Sequence, residues 1–185
     1  GVKATNALAE WLEVRVRRDG VIYFQRHENG LPATPVQILD PVTDEVIAEV
    51  GQNGDAKAIQ SHADTKRSTG TIISFKPSAR FMDTLDFDFD TVARRLQVIA
   101  FLLSGVTVEL VDNRKRRKRH KRFRYDGGLV EYVRWLNESR KAIHRVPVEV
   151  TGEQNGVSVE VVLQWHTSVE DTEIVSFVNT IPTPD

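Results

Sequence analysis

The sequence predicts an α+β fold in which helices cover one face of a mostly antiparallel sheet, a two-layer sandwich. Residues 12–17 (LEVRVR) alternate apolar with charged side chains, which is typical of a half-buried strand. Asp19 and Gly20 follow closely, and this dipeptide favours the tight turn of an antiparallel hairpin. Residues 88–103 instead repeat apolar side chains every three or four positions, which indicates an amphipathic helix. Elements of both kinds bury their apolar faces by packing in two layers.

The N-terminal elements are predicted to be one helix and one hairpin. The helix is expected over about residues 5–10, and the strand of residues 12–17 pairs with a return strand at residues 21–26. Pro32 and Pro35 are expected to end this pairing, because proline has no N–H to donate to a neighbouring strand.

Residues 35–67 are predicted to form an insertion. Their periodicity is weak, turn-forming residues are scattered along them, and only residues 45–50 alternate. We therefore expect a partly mobile excursion between two strands. The second of those strands is predicted at residues 71–75, closed by Pro77.

The middle of the chain predicts a capped helix and a second hairpin. Asp88 is a favourable N-cap, and Gly105 ends the helix because glycine adopts the left-handed conformation without strain. The predicted apolar face consists of Val92, Leu96, Ile99, Ala100 and Leu103. Strands are expected at residues 106–111 and 123–125, with a strongly basic hairpin loop between them.

The C-terminal elements are predicted to be a short helix and three strands. The glycine pair at residues 127–128 opens an amphipathic helix with Leu129, Val133 and Leu136 on its apolar face. Strands near residues 146–150 and 157–165 are joined by an Asn-Gly turn at residues 155–156, and a third strand is expected at residues 174–178.

Composition is ordinary for a globular protein. Of 185 residues, 40% are hydrophobic and 28% charged, and no run approaches the roughly 18 apolar residues of a membrane span. No secretory signal is recognisable, so we expect a cytoplasmic protein with no membrane partner. The absence of cysteine excludes disulfides and thiolate metal sites, and the five scattered histidines predict no metal site. The chain opens with Gly1 and has only one methionine, Met82, so we expect a piece of a longer protein.

One segment carries an exceptional positive charge. Residues 114–124 hold nine of the 25 Lys and Arg and no acid, so the rest of the chain has 16 basic and 26 acidic residues, a net charge of about −10. Such a segment binds DNA phosphates by counterion release. The candidate DNA-binding residues are Arg114, Lys115, Arg116, Arg117, Lys118, Arg119, Lys121 and Arg122. The alternative is a solvated hairpin tip with no binding role, and Phe123 and Tyr125 are expected to pack in the core rather than stack on bases.

Five segments, in order along the chain, carry a family resemblance. They are NALAEWLEV (6–14), TGTIISF (69–75), FDFDTVARRLQVIAFL (87–102), YDGGLVEYVRWLN (125–137), and VEVVLQW (159–165) with SFVNTIPTPD (176–185). In this order they resemble the B subunits of bacterial type IIA DNA topoisomerases, the gyrase and topoisomerase IV family. Residues 35–67 have no counterpart in the resemblance, since the family usually has a shorter link there.

The resemblance implies two partial domains. Residues 1–125 correspond to the C-terminal part of a GHKL-type ATPase domain, and residues 126–185 to the start of a ribosomal S5 domain 2-like transducer domain. In the family, ATP binding dimerises two B subunits, the resulting clamp captures a DNA duplex, and the topoisomerase A subunit cleaves DNA. ATP and Mg²⁺ are therefore the expected cofactors of the full-length parent, and its expected partners are DNA and the topoisomerase A subunit.

The resemblance also implies a set of nucleotide-binding residues. Gly1 and Val2 correspond to the end of a glycine-rich segment whose backbone N–H groups face the ATP phosphates. Thr71 corresponds to a hydroxyl that helps hold adenine, Ile73 to the apolar floor of the pocket, and Arg18 to its rim.

No catalytic residue is assigned to this chain. Phosphoryl transfer needs a metal, a positioned water and a charge clamp together. The family's general-base glutamate, its magnesium-binding asparagine and its transducer lysine lie outside the matched segments. The chain alone is therefore expected to be inactive and to bind neither ATP nor Mg²⁺ tightly.

Two other hypotheses stay open at this point. One is a non-enzymatic nucleic-acid-binding module built on the basic segment. The other is an inactive chain, either truncated or redesigned from the family. The sequence does not separate gyrase from topoisomerase IV.

Overall fold

The computed structural model describes residues 1–50, 69–114, 116–167 and 172–183, and the chain divides into two compact units. Unit 1 is Gly1–Asp86 and unit 2 is Phe87–Asp185. Helices and antiparallel sheets occur together, as the α+β prediction requires. The predicted domain boundary at residues 125–126 stays a prediction.

Unit 1 is built on one antiparallel sheet. Its elements are α1 (Val2–Ala7), β1 (Ala9–Arg18), β2 (Val21–Glu28), β3 (Leu31–Pro32), β4 (Gln37–Leu39), β5 (Val46–Glu49) and β6 (Gly70–Pro77). The strand order among the described residues is β5-β4-β2-β1-β6, with β3 paired to β2. The predicted turn between β1 and β2 is confirmed, since Asp19 and Gly20 have φ of 54° and 79°.

The first helix differs from the prediction. It spans Val2–Ala7 rather than residues 5–10, and the backbone N–H groups of Ala4 and Thr5 donate to the Gly1 carbonyl. Ala9 already belongs to β1 and is 2% exposed, opposite Pro77 of β6. Burial and pairing of the strand therefore override the local helix preference of this stretch.

Two expectations about the segment after β2 are wrong. Asn29 and Gly30 form a second turn, with φ of 47° and 84°, so that β3 pairs with β2 and Pro32 lies on a short edge strand. Residues 36–50 are not an irregular excursion, because β4 and β5 extend the sheet and bury Ile38 and Leu39. Residues 51–67 of the predicted insertion lie outside the described residues.

Unit 2 contains two longer helices and three hairpins. Its elements are α2 (Phe89–Leu102), β7 (Val108–Asp112), β8 (Arg119–Phe123), α3 (Gly128–Leu136), β9 (Val148–Gln154), β10 (Val157–Leu163), β11 (Phe177–Val178) and β12 (Ile181–Pro182). The predicted N-cap of α2 is confirmed, because Asp88 Oδ1 accepts a hydrogen bond from the Thr91 N–H at 2.7 Å. Gly105 has the expected left-handed φ of 79°, but the helix already ends at Leu102 with Leu103 as its C-cap, so the predicted stop is placed too late.

The core of unit 2 lies between α2 and the β7–β8 hairpin. Its buried members are Phe89, Ala93, Ala100 and Phe123, and Leu96, Val108, Leu110 and Tyr125 pack around them. The predicted helix face is therefore partly wrong. Leu96 and Ala100 face the core, but Leu103 is 40% exposed.

The basic segment is not only a loop. Residues 119–123 form β8, which pairs with β7 so that Arg119 lies opposite Asp112 and Phe123 lies opposite Val108. The return strand therefore begins four residues before its predicted start. An apolar-polar pattern could not show this strand, because three of its five side chains are Lys or Arg and a fourth is His.

The C-terminal hairpin places its apolar side chains on one face. Asn155 and Gly156 form the predicted turn, with φ of 53° and 77°. One face of β10 carries Val157, Val159, Val161 and Leu163, all more than 40% exposed. The strand expected at residues 174–178 is instead the first arm of the short β11–β12 hairpin.

Candidate functional site

The predicted nucleotide-binding residues of β1 and β6 share one face of the unit 1 sheet. Thr71 pairs directly with Val16, and Ile73 with Val14. Side chains of paired residues point to the same face, and alternate residues along a strand return to it. Arg18 lies two residues beyond Val16 on β1 and therefore also belongs to this face. We call it the Thr71 face.

The Thr71 face is apolar and open. Phe75 is 45% exposed although it pairs with buried Leu12 on β1, and Ile73 is 40% exposed although it pairs with half-buried Val14. Among the described residues, Arg18 forms an ion pair with its neighbour Asp19, at 3.2 Å, and both side chains are more than 70% exposed. An exposed pair of this kind holds a guanidinium weakly, so Arg18 can turn toward an anion.

The opposite face of the sheet is charged. Arg15 binds both carboxylate oxygens of Asp44, at 2.7 and 2.6 Å, and this hydrogen bonding raises the pKa of Arg15. Arg26 bridges to Glu13 at 2.6 Å and lies over the Trp11 ring. Ion pairs laid across the strands are typical of a solvated face.

Gly1 and Val2 lie at the start of α1, which packs against β1 and β6. The helix is held by Asn6, whose Nδ2 donates to the Gly30 carbonyl at 3.0 Å. The Asn6 Oδ1 is buried and has no hydrogen-bond partner among the described residues. No contact among the described residues joins Gly1 or Val2 to Thr71. Their shared role in nucleotide binding therefore stays a prediction.

Thr71 and Ile73 have the chemistry that one wall of an adenine site needs. Thr71 offers a hydroxyl and Ile73 an apolar contact for a planar base. Within the described ranges, no group of three or more His, Asp or Glu side chains is arranged to hold a metal ion. Nor is any helix there long and apolar enough to cross a membrane.

The cations of the basic segment in unit 2 differ in whether they have a carboxylate partner. Arg119 faces α2, where its Nη2 contacts both carboxylate oxygens of Asp90 at 2.8 Å and its guanidinium lies 4.0 Å from the Phe89 ring centroid. Lys121, two residues along the same strand, approaches Asp90 at 3.8 Å. These two cations attach the hairpin to the first turn of α2.

Arg114 closes the other side of the hairpin. Its Nε and Nη2 bind the two oxygens of Asp112 at 3.0 and 2.8 Å, and Nη2 also donates to the Phe87 carbonyl at 2.7 Å. Hydrogen bonds from the side chain and then the backbone of Arg114 hold the pKa of Asp112 well below its ordinary value. The Asp112 side chain is only 9% exposed, so this carboxylate is a structural counter-charge.

Two more cations of the segment form exposed ion pairs with carboxylates. Arg122 lies opposite Glu109 on β7 and bridges to it at 3.4 Å. Arg124 bridges to Asp126 at 3.4 Å. Five of the nine cations in residues 114–124 therefore have a carboxylate neighbour.

The hairpin tip is different. Arg116, Arg117 and Lys118 are exposed, and in the part of the chain that the structure describes they form no ion pair or side-chain hydrogen bond. Lys115 lies outside the described residues. We call Arg116, Arg117 and Lys118 the tip triad.

The two aromatic residues beside the segment pack in the core, as expected. Phe123 is buried, and the Tyr125 ring stacks on Phe101 with centroids 3.5 Å apart. The Tyr125 hydroxyl accepts a hydrogen bond from Gln97 Nε2 at 2.8 Å. Neither ring is available for base stacking.

Sequence reasoning missed the carboxylates Asp90, Glu109 and Asp112. Glu109 and Asp112 could have been found by extending the basic strand to Arg119 and pairing it with β7. Asp90 could not, because it lies 29 residues before Arg119 and only the packing of α2 on the hairpin brings them together.

Known proteins similar to this chain include bacterial B subunits. A family model described as DNA gyrase B matches residues 128–185. The B subunit of DNA gyrase from Thermotoga maritima is 41% identical over 192 residues, covering 100% of this chain and 26% of that protein. The B subunit of DNA topoisomerase 4 from Streptococcus pneumoniae is 38% identical over 185 residues, covering 100% of this chain and 25% of that protein.

A solved structure gives the same picture of the fold. The 43K ATPase domain of Thermus thermophilus gyrase B, in complex with an aminocoumarin, matches with a TM-score of 0.66 and 25% identity, over 96% of this chain and 42% of that one. This likeness confirms the predicted α+β fold. The chain spans about a quarter of the length of the two relatives above.

Proposed function

We propose that the chain belongs to the family of DNA gyrase and topoisomerase IV B subunits and forms part of the ATP-operated clamp of a type IIA DNA topoisomerase. The observation that carries the proposal is the match along the entire chain, which includes both units. A non-enzymatic nucleic-acid-binding module is not favoured, because the relatives align over the sheet of unit 1 as well as over the basic hairpin.

The proposed role of unit 1 is to supply one wall of the nucleotide site. Thr71 and Ile73 would contact the base, Arg18 would lie at the rim, and Gly1 and Val2 would present backbone N–H groups to the phosphates. The common orientation of Arg18, Thr71 and Ile73 on the Thr71 face supports this role. Bound ATP and Mg²⁺ would supply the phosphoryl chemistry with groups of the parent protein outside this chain.

The proposed partners follow from the clamp. A second copy of the parent would dimerise with the first when ATP binds, the topoisomerase A subunit would cleave DNA, and the complex would act in the bacterial cytoplasm. The reaction class is ATP-dependent DNA isomerisation, either supercoiling or decatenation.

The proposed role of the basic segment is to contact the phosphates of the captured duplex. Its high density of positive charge, in a chain that is otherwise acidic, supports this role. The binding would have no sequence preference, since contacts to phosphates carry no sequence information.

The proposed function is tested with the longer protein that contains this chain, assayed with its cleaving partner on plasmid DNA. We expect ATP-dependent strand passage in the wild type. Thr71→Ala should raise the KM for ATP roughly 3- to 10-fold, the equivalent of one lost hydrogen bond of about 1 kcal/mol. Ser74→Ala on the opposite face is the matched control and should leave the KM unchanged. Strand passage that does not require ATP would contradict the proposal.

A further inference from the structure

The nine cations of residues 114–124 do not have equal access to a ligand. Arg114, Arg119, Lys121, Arg122 and Arg124 each lie within 4 Å of a carboxylate oxygen. A cation whose charge is already compensated by a carboxylate neutralises little phosphate charge, so it releases few of the counterions condensed on the DNA. Only the tip triad carries charge without a compensating partner among the described residues.

The paired cations have a different task. Arg119 attaches β8 to α2, because its Nη2 contacts both oxygens of Asp90 and its guanidinium lies over the Phe89 ring. Arg114, which follows β7, contacts the Phe87 carbonyl just before α2. A loop held at both ends loses less conformational entropy on binding than a free basic tail. The hairpin therefore presents its tip in a prepared position.

The geometry points to the tip triad as the DNA-contacting element, with Arg114 and Arg119 as positioning residues. We infer that Arg116, Arg117 and Lys118 bind about three phosphates of a duplex. Each of these cations can neutralise one phosphate, because none has a carboxylate partner among the described residues. This inference rests on the proposed DNA contact and restricts it to three side chains.

The salt dependence separates the restricted contact from a diffuse one. Each phosphate contact contributes about 0.9 to the slope of log affinity against log salt. Three contacts give a slope of roughly −2.7, whereas engagement of all nine cations would give roughly −8. The two cases differ by far more than the error of a titration series.

The experiment uses the 185-residue chain and a fluorescent duplex of about 20 base pairs in an anisotropy titration at low salt. The tip variant carries Arg116→Gln, Arg117→Gln and Lys118→Gln. The matched control carries Lys121→Gln, Arg122→Gln and Arg124→Gln, which removes the same number of charges from cations that are weakly paired in or just after β8. Thermal unfolding of both variants verifies that unit 2 is folded.

We expect the tip variant to lose at least 10-fold in affinity and the control to lose less than 3-fold, with a wild-type slope between −2 and −3.5. Equal losses in both variants, or a slope near −8, would overturn the inference while leaving the proposed DNA contact in place. A wild type that does not bind the duplex at low salt would overturn both.

Discussion

Arg119 is predicted to stabilise unit 2, although it belongs to a segment of nearly uniform positive charge. Replacing it with alanine removes two contacts at 2.8 Å to Asp90 and the position over Phe89 at 4.0 Å. Both side chains of the ion pair are about half exposed, 44% for Arg119 and 57% for Asp90, so the pair belongs to the exposed class.

The magnitude follows from these two contacts. An exposed ion pair contributes about 0.2–1 kcal/mol, and two contacts at 2.8 Å place this pair in the upper half of that range. A cation–π contact at an exposed site adds about 0.5–1 kcal/mol. Arg119→Ala should therefore lower the free energy of unfolding by about 1–2 kcal/mol. For a domain of about 100 residues, each kcal/mol corresponds to a fall of roughly 4 °C in Tm.

The assay is chemical denaturation monitored by tryptophan fluorescence, since Trp135 contacts Phe101 in the same unit. Arg117→Ala is the matched control and should change the stability by less than about 0.5 kcal/mol, because Arg117 is exposed and has no described partner. A double-mutant cycle of Arg119→Ala with Asp90→Ala should give a coupling energy of about 0.5–1 kcal/mol. Equal effects of Arg117→Ala and Arg119→Ala, or no coupling, would refute the structural role.

Three further predictions concern the nucleotide, the central segment and pH. The chain alone should show no low-micromolar binding of a non-hydrolysable ATP analogue in isothermal titration, because it supplies one wall of the site; low-micromolar binding would contradict this. Limited trypsin digestion should cut first near Lys57, Lys66 or Arg67, which lie outside the described residues and whose sequence is rich in turn formers; strong protection at all three would contradict it. Asp112→Asn should lower the Tm at neutral pH, because the folded-state pKa of Asp112 is depressed and its stabilisation is complete above the ordinary pKa of about 3.9. The difference from wild type should shrink as the pH falls below about 4 and approaches the folded-state pKa, and a difference independent of pH would argue against the ion pair with Arg114.

The sequence predicted best where local chemistry decides the structure. The hairpin between β1 and β2, the cap of α2 by Asp88 and the Asn155–Gly156 turn each depend on residues only a few positions apart. These signals act within a single turn, so no knowledge of the distant chain is needed.

Predictions failed where distant partners decide. Ala9 leaves the helix because it pairs with Pro77, and Ile38 is buried because β4 joins the sheet beside β2. The candidate site shows the same limit. The charge of residues 114–124 is visible in the sequence, but the division between paired cations and the tip triad depends on Asp90, which tertiary packing brings to Arg119.

The claim that the Thr71 face forms a wall of the nucleotide site has a direct test. The longer protein is irradiated with an azido-ATP whose reactive group is on the adenine ring, digested with trypsin, and the labelled peptide is identified by mass spectrometry. Because trypsin does not cut between Lys76 and Pro77, the tryptic peptide that contains Thr71 and Ile73 is residues 68–80. We predict labelling of this peptide, and loss of that label when unmodified ATP is in excess. The assignment would be contradicted if, in a preparation active in strand passage, the label that excess ATP prevents were found on peptides of unit 2 and not on residues 68–80.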